Sequence, residues 1–189
     1  MAGTRIISGK AKGLRLKSVP SAITRPITDR VKEALFNIIG GDIVGSSFLD
    51  LFAGTGSVGL EALSRGAQFA RFIEKNPRAY SILEKNLKIS KLIDNADSIL
   101  GDAYDYIGSG SFSETFDYLY VAPPQYYSLW SRMVHSIDTH IQHLNEFAWI
   151  ISQIDPKEYE KLVLLNLYEF DKRKYGDTMV IFYSFNMSA

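Results

Sequence analysis

The 189 residues are 46% hydrophobic and carry no cysteine, so one full core is affordable in length while disulfides and thiolate metal sites are excluded. No apolar run approaches the ~20 residues of a membrane helix, and residues 1–5 lack the apolar stretch of a secretory signal, so a cytoplasmic chain is expected. Lys and Arg balance Asp and Glu at 21 each, yet residues 1–40 hold eight basic residues (Arg5, Lys10, Lys12, Arg15, Lys17, Arg25, Arg30, Lys32) against Asp29 and Glu33. A basic end on an otherwise acidic body suits a polyanion; a solvated basic face is the plainer alternative.

In chain order, Arg5 to Leu16 has two short strand-like arms around Gly9 and Gly13 and predicts a basic β-hairpin. A linker with two prolines follows, and Thr28 is placed to cap a helix whose apolar residues Val31, Ala34, Leu35, Ile38 and Ile39 fall on one face. Strands and helices then alternate, which predicts a mainly parallel sheet covered on both faces. The predicted strands are 48–52, 69–74, 98–101, 116–121, 148–154, 162–170 and 178–185. The predicted helices are 57–65, one opened by Asn76-Pro77, and a long amphipathic one running from Leu129 to Leu144. The last two strands read as an antiparallel hairpin. A boundary is expected near residue 24, between a basic extension (1–24) and the main domain (25–189).

Phe48 to Gly59 reads as an apolar strand that breaks into a glycine turn and opens a helix. Gly54, Gly56 and Gly59 formally fit a nucleotide-binding turn, a pattern shared by NAD, FAD and S-adenosylmethionine (SAM) sites. Asp50 lies inside the apolar run, where an ionised carboxylate needs either a cationic ligand group or backbone N–H partners. Glu74 ends the next strand and could accept both hydroxyls of a ribose, and Asp102 ends the third, placed for an adenine amine. Three carboxylates at successive strand ends suit a ligand with a cation, a ribose and an adenine but no phosphate, which favours SAM over a dinucleotide. The expected cofactor set is Asp50, Phe52, Ala53, Gly54, Thr55, Gly56, Glu74, Lys75, Asp102 and Ala103.

These residues bring the chain close to known enzymes. It resembles the class I SAM-dependent methyltransferases, and more narrowly the bacterial 16S rRNA guanine-N2 methyltransferase family. The resemblance rests on Arg5 to Lys10, on Arg25-Pro26-Ile27-Thr28-Asp29-Arg30-Val31-Lys32-Glu33, on Leu49 to Gly56, on Gly59 to Ala67 and on Tyr175 to Thr178. It implies an α/β, Rossmann-like fold with a seven-stranded, mostly parallel sheet, an antiparallel last strand and an N-terminal hairpin that helps to grip RNA. It also implies SAM as cofactor and rRNA in the small ribosomal subunit as partner, and with an RNA partner the basic residues Arg5, Lys10, Lys12, Arg15, Lys17, Arg25, Arg30 and Lys32 are the expected phosphate contacts. A monomer without metal is expected.

Related amino-methyltransferases carry Asn or Asp, two prolines and an aromatic residue after the fourth strand. Here the run is Ala122-Pro123-Pro124-Gln125, followed by Tyr126 and Tyr127. Ala122 offers no side-chain acceptor, so the expected catalytic set (Ala122, Pro123, Pro124, Tyr126) relies on backbone carbonyls and a stacking ring. Three readings stand: a carbonyl-only active site, another residue in the acceptor role, or a SAM- and RNA-binding assembly factor that transfers no methyl. Methylation of a protein amide or small amine is a further reading. His135, His140 and His143 share one region, but no third ligand is spaced for metal. Trp130 and Met133 read as core.

Overall fold

The structure is a computed structural model that describes residues 4–19, 27–109 and 114–185. Seven strands form one sheet in the order β3-β2-β1-β4-β5-β7-β6. They are β1 (Ser47–Asp50), β2 (Phe69–Glu74), β3 (Ala96–Leu100), β4 (Phe116–Val121), β5 (Leu144–Ile154), β6 (Leu167–Tyr175) and β7 (Thr178–Phe185). Pairs among β1 to β5 are parallel, and β7 inserts antiparallel to both β5 and β6. The predicted α/β class, parallel core and antiparallel last strand are all present.

Period-two burial divides the side chains between two cores. On one face, Phe48, Phe72, Tyr120 and Phe182 pack with α1 (Asp29–Ile39), α2 (Ser57–Arg65) and α3 (Pro77–Ser90). On the other, Leu49, Leu119, Ile150 and Ile181 pack with α4 (Ala103–Gly108) and α5 (Leu129–Thr139). Thr28 caps α1 through Val31 N, as its position predicts, and Asn76 caps α3 through Arg78 N and Ala79 N.

Three elements differ from the sequence expectation, each for a local reason. The long helix stops at Thr139, because Thr139 and His140 side chains bond the Ser136 carbonyl and compete with the helix ladder. Leu144, in phase with the helix stripe, instead opens β5 opposite Phe116. The strand expected at 162–170 begins only at Leu167. The preceding amides of Leu165 and Asn166, and that of Leu167 itself, all bond the buried Asp138 carboxylate rather than a neighbouring strand. The N-terminal hairpin is reduced to a chain reversal with one antiparallel bridge, Arg5 to Arg15.

That reversal is seated on α2 by one side chain. Glu61 is fully buried and accepts from Ile7 N (2.7 Å), Ser8 N (3.0 Å) and Arg65 Nε (2.7 Å), with Lys32 Nζ at 3.5 Å. Burial pulls the Lys32 pKa down, and Glu61 opposes that shift. Removing one partner of such a cluster strands the other charge. Glu61→Ala should therefore cost about 3–5 kcal/mol of unfolding free energy in a urea titration.

Candidate functional site

All the predicted cofactor residues lie at the carboxyl ends of β1, β2 and β3, and the Pro-Pro run lies at the same end of β4. This is the crevice where open α/β sheets take ligands, because free backbone groups and a helix start converge there. Gly54 has φ +57°, and a Cβ built on it would meet nothing within 4 Å. The turn therefore presents bare backbone to open space. Gly59 is required by packing instead, since a Cβ there would lie 2.3 Å from the Phe72 ring.

The three carboxylates stand in different states. Glu74 accepts from Gly54 N (2.7 Å) and Asn76 N (2.6 Å), which locks the end of β2 to the glycine turn. Each of its oxygens keeps a lone pair for a further donor. Asp102 caps α4 through Tyr104 N and pairs with Lys75 Nζ at 2.7 Å, and that pair holds its carboxyl below the usual range. Asp50 is 1% exposed; Oδ2 accepts from Gly59 N at 3.3 Å, while Oδ1 has no partner among the described residues. Burial pushes its pKa up to about 7, with Glu74 adding to the rise. A buried carboxylate with an orphan oxygen beside a bare turn fits the cationic end of a ligand such as SAM. Phe52 and Tyr104 meet edge to face at 6.4 Å, and Ala53 and Ala103 are buried.

At the end of β4, Ala122 is half-buried and Pro123 buried, and Pro124 is exposed. No backbone N–H donates to the carbonyls of Ala122, Pro123 or Pro124 among the described residues. Tyr126 has φ +74°, a conformation a tyrosine holds only when its surroundings fix it. Here they do: its N–H donates to Glu158 Oε1 (2.7 Å) and its hydroxyl to Asp155 Oδ2 (2.9 Å). Tyr127 is 72% exposed next to it. Asp155 and Glu158, in the turn after β5, were not flagged by sequence; their only signal is Asp155-Pro156, an N-cap with proline at the first helical position.

Asn86 is a second missed residue. Its amide accepts from Lys17 N (2.8 Å) and donates to Lys17 O (3.0 Å) and to Thr55 O (2.9 Å). One buried side chain thus ties the basic arm to the glycine turn. Nothing in an α3 sequence distinguishes it from an ordinary helical asparagine.

The expected RNA contacts divide. Lys10, Lys12, Arg15, Lys17 and Arg30 are exposed, and Arg5 is exposed while paired with Asp29 at 2.8 Å. Lys32 is a correction: it is fully buried, donating to Arg5 O at 2.6 Å and facing Glu61, and cannot reach a phosphate. Arg25 lies outside the described residues. His143 is buried against Tyr106, with Nε2 at 3.2 Å from Ile107 O, and no cluster of three or more metal-ligating side chains exists among the described residues. No helix among them is long and apolar enough to cross a membrane.

Residues 4–184 match the family model described as Conserved hypothetical protein 95. The chain belongs to this family. It is 36% identical over 180 residues to the Bacillus subtilis protein named "Putative rRNA methyltransferase YlbH", covering 95% of this chain and 97% of that one. Over 126 residues it is 38% identical to Ribosomal RNA small subunit methyltransferase D of Haemophilus influenzae, covering 66% and 65% of the two chains. Among solved structures, yhhF from Escherichia coli superposes with a TM-score of 0.85 at 30% identity, covering 96% of this chain and 97% of that one. The fold is that of the class I SAM-dependent methyltransferases.

The raised Asp50 pKa sets a pH dependence. The native carboxyl holds its proton up to about pH 7, whereas the unfolded one releases it near 3.8. Between those values the native state binds more protons, so stability should fall as pH rises from about 4 to 7 and level off above. The slope should reach about 1.4 kcal/mol per pH unit. Urea unfolding at stepped pH should show this slope in the wild type and a flatter one in Asp50→Asn.

Proposed function

We propose that this chain transfers a methyl group from SAM to the exocyclic N2 amine of a guanine in small-subunit rRNA. One observation carries the reading: carboxylates at three adjacent strand ends surround a bare glycine turn, with a rigid Pro-Pro turn at the fourth. The rRNA substrate is supported by the names of the relatives, and guanine N2 by the family resemblance. A cytoplasmic monomer belongs to the same proposal.

Asp50 would face the cationic end of SAM, Glu74 the ribose and Asp102 the adenine amine, with Phe52, Ala53, Gly54, Thr55, Gly56, Lys75 and Ala103 as the surrounding wall. The bound cofactor supplies an electrophilic methyl on a sulfonium. The chain's task is then positional and electrostatic. The carbonyls of Ala122 and Pro123 accept the amine N–H groups and stabilise positive charge developing on nitrogen. Tyr126, fixed by Asp155 and Glu158, supplies a face for a base drawn from its stack. Arg5, Lys10, Lys12, Arg15, Lys17 and Arg30 hold phosphates, and Arg25 is assigned with them.

Label transfer from methyl-labelled SAM to small ribosomal subunits lacking the modification tests the reading, with the labelled base mapped. Label on guanine N2, and RNA binding that weakens steeply with salt, are the expected results. SAM binding without label would instead favour a non-catalytic assembly factor, the reading that Ala122 supports.

Ala122 gives a sharper expectation. A charge-assisted hydrogen bond in the transition state contributes roughly 1.5–3 kcal/mol, or about 10–150-fold in rate. Ala122→Asp should raise turnover by about tenfold or more and leave SAM affinity unchanged in calorimetry. An unchanged rate in a folded variant would show that Ala122 does not face the amine.

A further inference from the structure

At the amino ends of β1, β4 and β5, opposite the glycine turn, lies a cleft of about 400 Å³. Asp42, Val44, Asp117, Tyr118, Phe147 and Trp149 line it, and no Lys, Arg or His is among the lining residues. Two carboxylates without a cation, beside aromatic rings, are a setting for a positive group.

The aromatic wall is built in an unusual way. Between Phe116 and Tyr118 on β4 the register with β5 shifts from Leu144 to Trp149, so residues 145–147 bulge out of the sheet. Phe147 sits at the end of that bulge with φ +64° and is 59% exposed. A phenylalanine in the left-handed region, turned to solvent, gains nothing for the fold that a glycine would not supply better. Trp149 meets Tyr118 edge to face at 5.9 Å.

Tyr118 is the second, independent sign. It is 6% exposed, yet its hydroxyl makes no hydrogen bond among the described residues and is not sealed in the core. It opens on the cleft, and both Asp42 and Asp117 act on it electrostatically. Asp117 already accepts from Ser47 N, Ser47 Oγ and Asn145 Nδ2. Asp42 and the Tyr118 hydroxyl remain as the acceptors for an incoming donor.

We propose that this cleft is a docking site for a Lys or Arg side chain of a basic protein segment. The stem of such a side chain would lie on Phe147, Trp149 and Val44, and its head would donate to Asp42 and the Tyr118 hydroxyl. RNA phosphates would be repelled by the same carboxylates. Tyr118 on the cleft and Ala122 at the start of the Pro-Pro turn are four residues apart along β4, roughly 13 Å. The site is therefore distinct from the methyl-transfer crevice and stands or falls without it.

The test titrates the intact chain with n-butylguanidinium, with tetramethylammonium, and with acetylated pentapeptides Gly-Gly-Arg-Gly-Gly and Gly-Gly-Glu-Gly-Gly at constant ionic strength. Tryptophan fluorescence gives the readout, because Trp149 lines the cleft while Trp130 is buried elsewhere. Saturable change with the Arg peptide and butylguanidinium, and at least tenfold weaker response to the Glu peptide and tetramethylammonium, is expected. Asp42→Asn and Phe147→Gly should each weaken binding by fivefold or more, and Phe147→Gly should not lower the melting temperature. A flat titration would overturn the proposal. So would wild-type affinity in both variants. Equal binding of tetramethylammonium would overturn the hydrogen-bonded Lys or Arg assignment.

Discussion

The seat of the basic arm depends on one buried carboxylate. Glu61 gathers two backbone amides of the arm, the Arg65 guanidinium and the Lys32 ammonium around a single group with no solvent exposure. Burying a charge at that depth is tolerable only when every lone pair is used, and here the partners come from the arm, α1 and α2. Because Gly56 is the N-cap of α2, fixing Glu61 also fixes where the glycine turn ends. Asn86 adds a second tie from α3, joining Lys17 to Thr55. The arm is thus part of the same rigid unit as the cofactor turn, and its exposed cations are held in fixed register with the crevice.

The crevice itself is graded in polarity. Glu74 and Asp102 have their carboxylates engaged, the first by turn amides and the second by Lys75 and the start of α4. Asp50 alone keeps an unpartnered oxygen in a fully buried position. Desolvation of that kind is costly in the ligand-free chain and is relieved by a cation brought next to it. The strain at Tyr126 has the same character: a non-glycine residue at φ +74° is kept in place by two carboxylates after β5. Both features concentrate unfavourable local terms at the ends of adjacent strands, which is where strain is retained when function requires it.

The parallel core was legible because apolar runs at 48–52, 69–74 and 116–121 alternate with capped helices, and local pattern and tertiary fold agree there. The glycine turn and its three carboxylates were legible for the same reason: each sits at the end of its own strand. What escaped the sequence depended on partners far along the chain. Lys32 looks like any cation in a basic stretch until Glu61, 29 residues later, closes over it. Asp138 captures amides at 165–167 and removes them from the strand that their composition suggests. Leu144 keeps the helical period of α5 yet belongs to β5, since Thr139 and His140 end the helix between them. Phe147 carries no local signal, because its conformation follows from the register of β5 on β4.

Formal neutrality conceals how the charges act. At physiological ionic strength the screening length is about 8 Å, shorter than the roughly 20 Å along β4 that separates its two ends. A phosphate near Lys17, which Asn86 ties to the glycine turn, is therefore screened from the acidic groups at the amino ends of the strands, whereas Lys10 borders Val44 and Gly45, two residues that also line the acidic cleft. A basic peptide near Asp42 and Asp117 therefore also meets the field of Lys10. One chain of net charge zero can in this way present a polyanion-binding end at the glycine turn and a cation-binding cleft at the opposite strand ends, provided the sheet holds Lys17 and the cleft apart. The sheet does so through the parallel pairing of β1, β2 and β4, whose carboxyl ends carry the crevice.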